Sequence, residues 1–226
     1  MTTLPLADLV PDFVLARNLM VDGQLRPTNV TDRRILDIMR SLPRESFVPA
    51  ASAPLAYMDA DVRLSPTRVL MKPLVLARLL QLATPRAGQT ALVVGSGAGY
   101  GAAILAACGL QVTALEEDGD LITLARAAQA ATGHGAELVR GPLAEGWPLG
   151  APYDLVLIEG GVEVIPDPLT RQVAEGGQLV TVVRSADGTS VATTGLPGPQ
   201  GLALRPAFDA NTALIPAFRM RPAFAF

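Results

Sequence analysis

Hydrophobic and polar positions change period near residue 90 of this 226-residue chain, and that change organises everything else. Before it the spacing is helical. Asp32-Arg-Arg-Ile-Leu-Asp-Ile-Met-Arg40 gathers Ile35, Leu36, Ile38 and Met39 close to one helical face. Thr31 or Asp32 is available as its N-cap, and Pro43 ends it. Residues 49–69 carry Pro49, Pro54 and Pro66 and read as short helix and loop. Pro73 suits the first position of a further helix, Leu74 to Leu82, which stops before Pro85 and Gly88.

From Thr90 short apolar runs alternate with helical segments. Strands are predicted near 90–94, 111–115, 136–140, 154–158 and 178–183, and helices near 99–108, 119–131 and 167–174, with Glu175-Gly-Gly177 as the turn before the fifth strand. Strands alternating with helices imply right-handed crossovers and a parallel sheet covered on both faces. Beyond residue 184 the helical spacing ends. Asp187-Gly188 predicts a hairpin turn between residues 178–183 and 190–194, followed by a loop over 195–201 and a strand near 202–207. Phe218, Phe224 and Phe226 in the last stretch predict a tail docked onto the core. The expected organisation is one unit over 1–226: a helical extension (1–84), an α/β core (85–184), and C-terminal strands and tail (185–226).

The first predicted strand of that core, Ala91-Leu-Val-Val94, runs into Gly95-Ser-Gly-Ala-Gly99, and the second, Gln111-Val-Thr-Ala-Leu-Glu116, ends in a carboxylate. Alternate glycines after a buried strand let the backbone approach a nucleotide-type ligand, and a carboxylate at the next strand end can accept from a ribose diol. The spacing is G-x-G-x-G, tighter than the G-x-G-x-x-G of dinucleotide sites. It resembles the loop of S-adenosyl-L-methionine (SAM) methyltransferases, whose cofactor has no pyrophosphate.

Composition narrows the chemistry. Half the residues are apolar but aromatics are only 4%, so the core is aliphatic and alanine-rich. Apolar runs break well short of the ~18 residues of a spanning helix, and Met1 to Asp8 lacks the basic start of a secretory signal. No membrane association is expected, and the expected compartment is the cytoplasm. A net charge of −3 speaks against a nucleic-acid partner, and the arginines between Arg26 and Arg44 are interleaved with Asp32 and Asp37 as on an amphipathic helix surface. With one cysteine (Cys108) and one histidine (His134), a catalytic triad or a metal cluster lacks its residues, so no metal is expected.

Several segments are similar to the protein-L-isoaspartate (D-aspartate) O-methyltransferase family: Arg17-Asn-Leu-Met-Val-Asp-Gly-Gln-Leu25, Asp32-Arg-Arg-Ile-Leu36, Pro43-Arg-Glu-Ser-Phe-Val-Pro49, Ala56-Tyr-Met-Asp59, Gly146-Trp-Pro148, Ala151-Pro-Tyr-Asp154 and Glu175-Gly-Gly-Gln-Leu-Val180. The resemblance covers most of the chain. It implies a Rossmann-like, SAM-dependent methyltransferase sandwich with an N-terminal helical extension and a β-rich C-terminal tail. It implies SAM as cofactor, and damaged proteins or peptides bearing isoaspartate as acceptors. Gly95, Ser96, Gly97 and Gly99 would form the turn under the methionine part and ribose, with Glu116 binding the ribose hydroxyls.

Four positions depart from the family pattern, all where a ligand is expected to touch the chain. Val93 stands where the family's first core strand carries an acid, and Gly141-Pro142 replaces Gly-Asp after the third. Val69-Leu70-Met71-Lys72-Pro73 replaces Thr-Ile-Ser-Gln-Pro, which makes Met71 and Lys72 the candidates for the acceptor site. Glu159 in Glu159-Gly-Gly161 stands where small or neutral residues are usual; it would repel an anionic acceptor or stand in for a cofactor-binding group that the chain lacks elsewhere. A non-catalytic protein retaining the fold, and a methyltransferase with another acceptor, stand as the alternatives.

Overall fold

The structure is a computed structural model that describes residues 12–199 and 201–220. The N-terminal segment Met1 to Asp8, Phe224 and Phe226, on which some of the expectations above rest, lie outside the described residues.

The helical extension opens with α1 (Phe13–Leu19), which runs into a wider turn over Met20–Leu25, and then α2 (Arg33–Ser41). Asp32 caps α2, its side chain accepting from the Arg34 amide at 2.9 Å, and Ile35, Leu36 and Met39 are buried as their spacing predicts. The stretch read as helix and loop holds a 3-10 turn at Ala50–Leu55 and also a small hairpin, β1 (Val62–Arg63) paired antiparallel with β2 (Val69–Leu70). Two residues per strand are too few to leave an alternating pattern in the sequence. Pro73 opens α3 (Pro73–Ala83), whose end is the left-handed Thr84.

The core follows as β3 (Thr90–Val94), α4 (Tyr100–Ala107), β4 (Gln111–Glu116), α5 (Gly119–Thr132), β5 (Glu137–Arg140), β6 (Tyr153–Val162), α6 (Asp167–Thr170) and β7 (Val173–Arg184). Then come β8 (Ser190–Gly198) and β9 (Gly201–Asp209). The sheet runs β5-β4-β3-β6-β7-β8-β9, its first five strands parallel and the last two joined antiparallel. The C-terminal strands therefore extend the main sheet.

Several expectations are corrected. The loop predicted over 195–201 is mostly strand, since β8 runs to Gly198 and β9 begins at Gly201. The helix predicted over 167–174 is the single turn of α6, because the Gln172 carbonyl accepts from the Tyr153 amide at 2.8 Å and draws the chain into the sheet. Glu175 to Gly177 is not a turn before the strand but a bulge within β7, where pairing steps from Tyr153–Val173 to Leu155–Gln178. The strand predicted at 154–158 also continues through Glu159-Gly-Gly161 to Val162.

Apolar residues fill both faces. One face packs Val93, Leu157 and Val180 under α3, α4 and the N-terminal helices. The other packs Leu92, Val94, Ile158 and Leu179 against Leu143, Ile215 and Phe218. Strand order reverses at β3, which pairs with β4 on one side and β6 on the other. In open α/β sheets the ligand crevice lies beyond the carboxyl ends of the strands at such a point.

Candidate functional site

At that point the chain leaves β3 through Gly95, Gly97 and Gly99, with φ of 68°, 55° and 86°. These are left-handed conformations that side chains with a β-carbon resist, so the turn needs glycine. The Gly95 and Ser96 amides both donate to the Leu115 carbonyl, at 3.0 and 3.2 Å, which clamps the turn to β4. Gly99 then opens α4. Ser96 is buried, and its hydroxyl has no hydrogen-bond partner.

Glu116, the last residue of β4, reaches the same turn. Its Oε2 accepts from the Gly97 amide at 3.0 Å, and its Oε1 from the Glu117 and Asp118 amides at 2.8 and 3.1 Å. The glycines, Ser96 and Glu116 are thus brought together as the sequence expects. The surprise is Arg68, buried in the loop of the small hairpin, one residue before β2. Its Nε lies 3.2 Å from Glu116 Oε2, and its Nη2 lies 2.7 Å from Glu117 Oε1. Glu116 is therefore buried in an ion pair.

Other side chains cover the turn. Leu64 of the hairpin lies 2.9 Å from where a β-carbon on Gly97 would sit, and Ile215 lies 2.8 Å from that of Gly95. Ile215 is held there by its own segment. The Gly161 amide donates to the Ala213 carbonyl at 2.8 Å, and the Ile215 amide donates to the Gly161 carbonyl at 3.0 Å. Asp61 ties hairpin, α3 and this segment together, accepting from the Lys72 amide, the Thr212 hydroxyl and the Ala213 amide.

Glu159 projects from β6 one residue past the last β3–β6 pair, Val94–Ile158, and so stands level with Gly95. It is 6% exposed, and its Oε1 has no partner. A β-carbon on Gly101, in the first turn of α4, would collide with that oxygen. Burial pushes its carboxyl up to about 8, against the pull of Arg44 and with the push of Glu116. Arg44 is itself fully buried. Its Nε and Nη2 donate to the Ala56 and Met71 carbonyls, at 2.6 and 2.5 Å, and its guanidinium lies 4.8 Å from the Tyr100 ring centre. Burial lowers its affinity for a proton.

The two acceptor-site candidates part company. The Met71 side chain is fully buried in the core, and its carbonyl holds Arg44. Lys72, next to it, lines two adjoining cavities of about 470 and 370 Å³. Arg184 and Asn211 line both as well. Among the described residues neither Lys72 nor Arg184 pairs with a carboxylate. Sequence reasoning missed Arg68 and Arg184. Nothing local marks an arginine as buried on a distant carboxylate, or a strand's last residue as facing a cavity. Among the described residues no cluster of His, Cys, Asp and Glu could hold a metal ion, and no helix is long and apolar enough to cross a membrane.

A parallel sheet reversing at a glycine turn, with a carboxylate at the next strand end, defines the Rossmann-like methyltransferase class. A solved protein-L-isoaspartate O-methyltransferase shares the fold, with a TM-score of 0.75 at 20% identity over 88% of this chain and 65% of that one. So does the Plasmodium falciparum putative enzyme of that name, solved in complex with S-adenosyl-L-homocysteine: TM-score 0.76, 17% identity, 89% of this chain and 98% of that one. The sequence goes further. Residues 16–193 match the family model described as Protein-L-isoaspartate(D-aspartate) O-methyltransferase. A protein-L-isoaspartate O-methyltransferase of Methylorubrum extorquens is 38% identical over 80% of each chain, and one from Rhodopseudomonas palustris is 37% identical over 79% of this chain and 74% of its own. The chain belongs to the protein-L-isoaspartate (D-aspartate) O-methyltransferase family.

Proposed function

We propose that this protein is a SAM-dependent carboxyl methyltransferase that methylates isoaspartyl carboxylates in damaged proteins or peptides in the cytoplasm. The observation that carries the reading is the cradle: three glycines at positive φ, clamped to β4, with Glu116 at its rim. The residues fit the cofactor, since Ser96 Oγ and Glu159 Oε1 are buried polar atoms without partners beside that turn. Gly95, Ser96, Gly97 and Gly99 would hold its methionine part and ribose, and Glu116 the ribose hydroxyls once Arg68 withdraws.

Bound SAM supplies a methyl group on sulfur that an oxygen nucleophile can take, leaving S-adenosylhomocysteine. An isoaspartyl carboxylate is already ionised at pH 7, so the chain needs no general base. Its task is to align and to exclude water. Lys72, Arg78 and Arg184 outweigh Asp209 in the larger cavity, where an anionic acceptor would sit; in the smaller one Asp59 and Asp61 balance Lys72 and Arg184. Leu64 and Ile215 supply apolar cover.

One observation favours a second reading, a non-catalytic protein that keeps this fold: Leu64, Arg68 and Ile215 stand in or over the cradle. Incubation with methyl-labelled SAM and a peptide pair differing only in one isoaspartyl or aspartyl linkage separates the two. The proposal expects label in the isoaspartyl peptide alone. No label in either peptide at high enzyme concentration would refute it.

A further inference from the structure

We infer that Glu159 binds the ammonium group at the amino-acid end of the cofactor, as the acid that β3 does not provide. The inference rests on the methyltransferase reading above and adds a residue to it.

Four observations converge. On the α4 side of the sheet β3 presents Ala91 and Val93, both buried and apolar, so no acid rises from β3 beneath the glycine turn. Val93 pairs with Leu157 on β6, and Glu159 follows two residues later, nearer the strand ends where the turn begins; β6 pairs irregularly with β7 there, and it is the approach of the Glu159 carboxyl to Gly101 that puts it on the α4 side. Its carboxyl is not an idle surface group. It is buried, it leaves Oε1 without a donor, and the chain makes room for it by having glycine at position 101. A buried acceptor without a donor costs free energy that a stable fold has little reason to bear unless a ligand supplies the donor.

The missing donor is cationic. A neutral donor would satisfy Oε1 while leaving a buried carboxyl with no reason to be acidic, and a glutamine would then serve equally well. Arg44 faces the same space from the segment before the hairpin but gives two of its nitrogens to carbonyls. It makes no ion pair with Glu159, and its Nη1 is also unpartnered. Glu116 faces it from β4, and Tyr100 lies under Arg44 on α4. Without a cationic partner, burial pushes the carboxyl up to about 8, so it holds its proton at pH 7. An arriving ammonium favours the charged form, so the proton leaves for solvent as the ion pair forms.

Calorimetric titration of the full chain with S-adenosylhomocysteine and with 5′-methylthioadenosine, which lacks the amino-acid end, tests this. The titrations are run at pH 7 in two buffers of different ionisation enthalpy. The wild type is expected to release about one proton per S-adenosylhomocysteine bound and almost none with methylthioadenosine. In Glu159→Gln the proton release should vanish, and S-adenosylhomocysteine should bind about tenfold or more weakly while methylthioadenosine is unaffected. Equal affinity for S-adenosylhomocysteine in the two proteins would overturn the inference. So would wild-type binding without proton release, a result that stands even if the variant fails to fold. Wild-type protein that binds neither ligand would remove the methyltransferase reading itself, and this inference with it.

Discussion

Glu159 shows how one residue's environment sets a measurable property of the whole protein. Its carboxyl titrates near 8 in the fold against 4.5 as an ordinary glutamate. Below the lower value both folded and unfolded chains hold the proton, and stability does not change. Between the two, unfolding releases a proton, so stability falls as pH rises, levelling off above the folded value. Glu159→Gln removes that slope. The melting temperature of the variant relative to wild type should therefore climb between pH 5 and pH 8; a constant difference would mean that Glu159 is not buried as described. At this scale the sequence is unevenly legible. Gly95, Gly97, Gly99 and Glu116 announce themselves because a turn at positive φ and a strand-end carboxylate leave local signatures. The identity of Glu159 as a departure is visible too, but its missing partner is not, since burial depends on α4 folding over it. Met71 misleads for the same reason: a position next to Lys72 in sequence faces the opposite way in space.

The hairpin of β1 and β2 is the element that decides access. It carries Leu64 over Gly97 and Arg68 onto Glu116, so the groups that would meet a ribose are already engaged. A ligand at Glu116 must displace Arg68. Arg68→Ala removes the competitor but strips a buried carboxylate of its counter-ion, and these effects differ in sign. S-adenosylhomocysteine should bind about tenfold tighter, while the unliganded protein should lose about 3 kcal/mol of stability in denaturant titration. Weaker binding in the variant would mean that Arg68 holds the ligand and does not compete with it. Long elements such as α2, α3 and α5 can be read from their spacing and caps. This hairpin cannot, because two-residue strands have no period. The short α6 reads as too long in the sequence because the residues after it are claimed by pairing with β6.

Over the whole molecule, a parallel sheet is implied by strands alternating with helices, whereas its order β5-β4-β3-β6-β7 and the reversal at β3 come from the structure alone. The antiparallel extension through β8 and β9 is half-visible in the Asp187-Gly188 turn. What no segment can reveal is the meeting of α3, the end of β7 and the segment after β9. There Lys72, Arg184 and Asn211 line the two cavities. If an isoaspartyl carboxylate docks there, Lys72→Ala and Arg184→Ala should each raise the peptide KM about three- to fivefold, as partly exposed charges do, with kcat little changed. An unchanged KM in both would move the acceptor elsewhere. The central claim is that the cradle is a cofactor site covered by the chain's own hairpin. A crystal structure with S-adenosylhomocysteine measures that directly. Ribose hydroxyls should lie within hydrogen-bond distance of Glu116, with Arg68 withdrawn from it. A ligand bound elsewhere, with the Arg68–Glu116 pair intact, would contradict the claim.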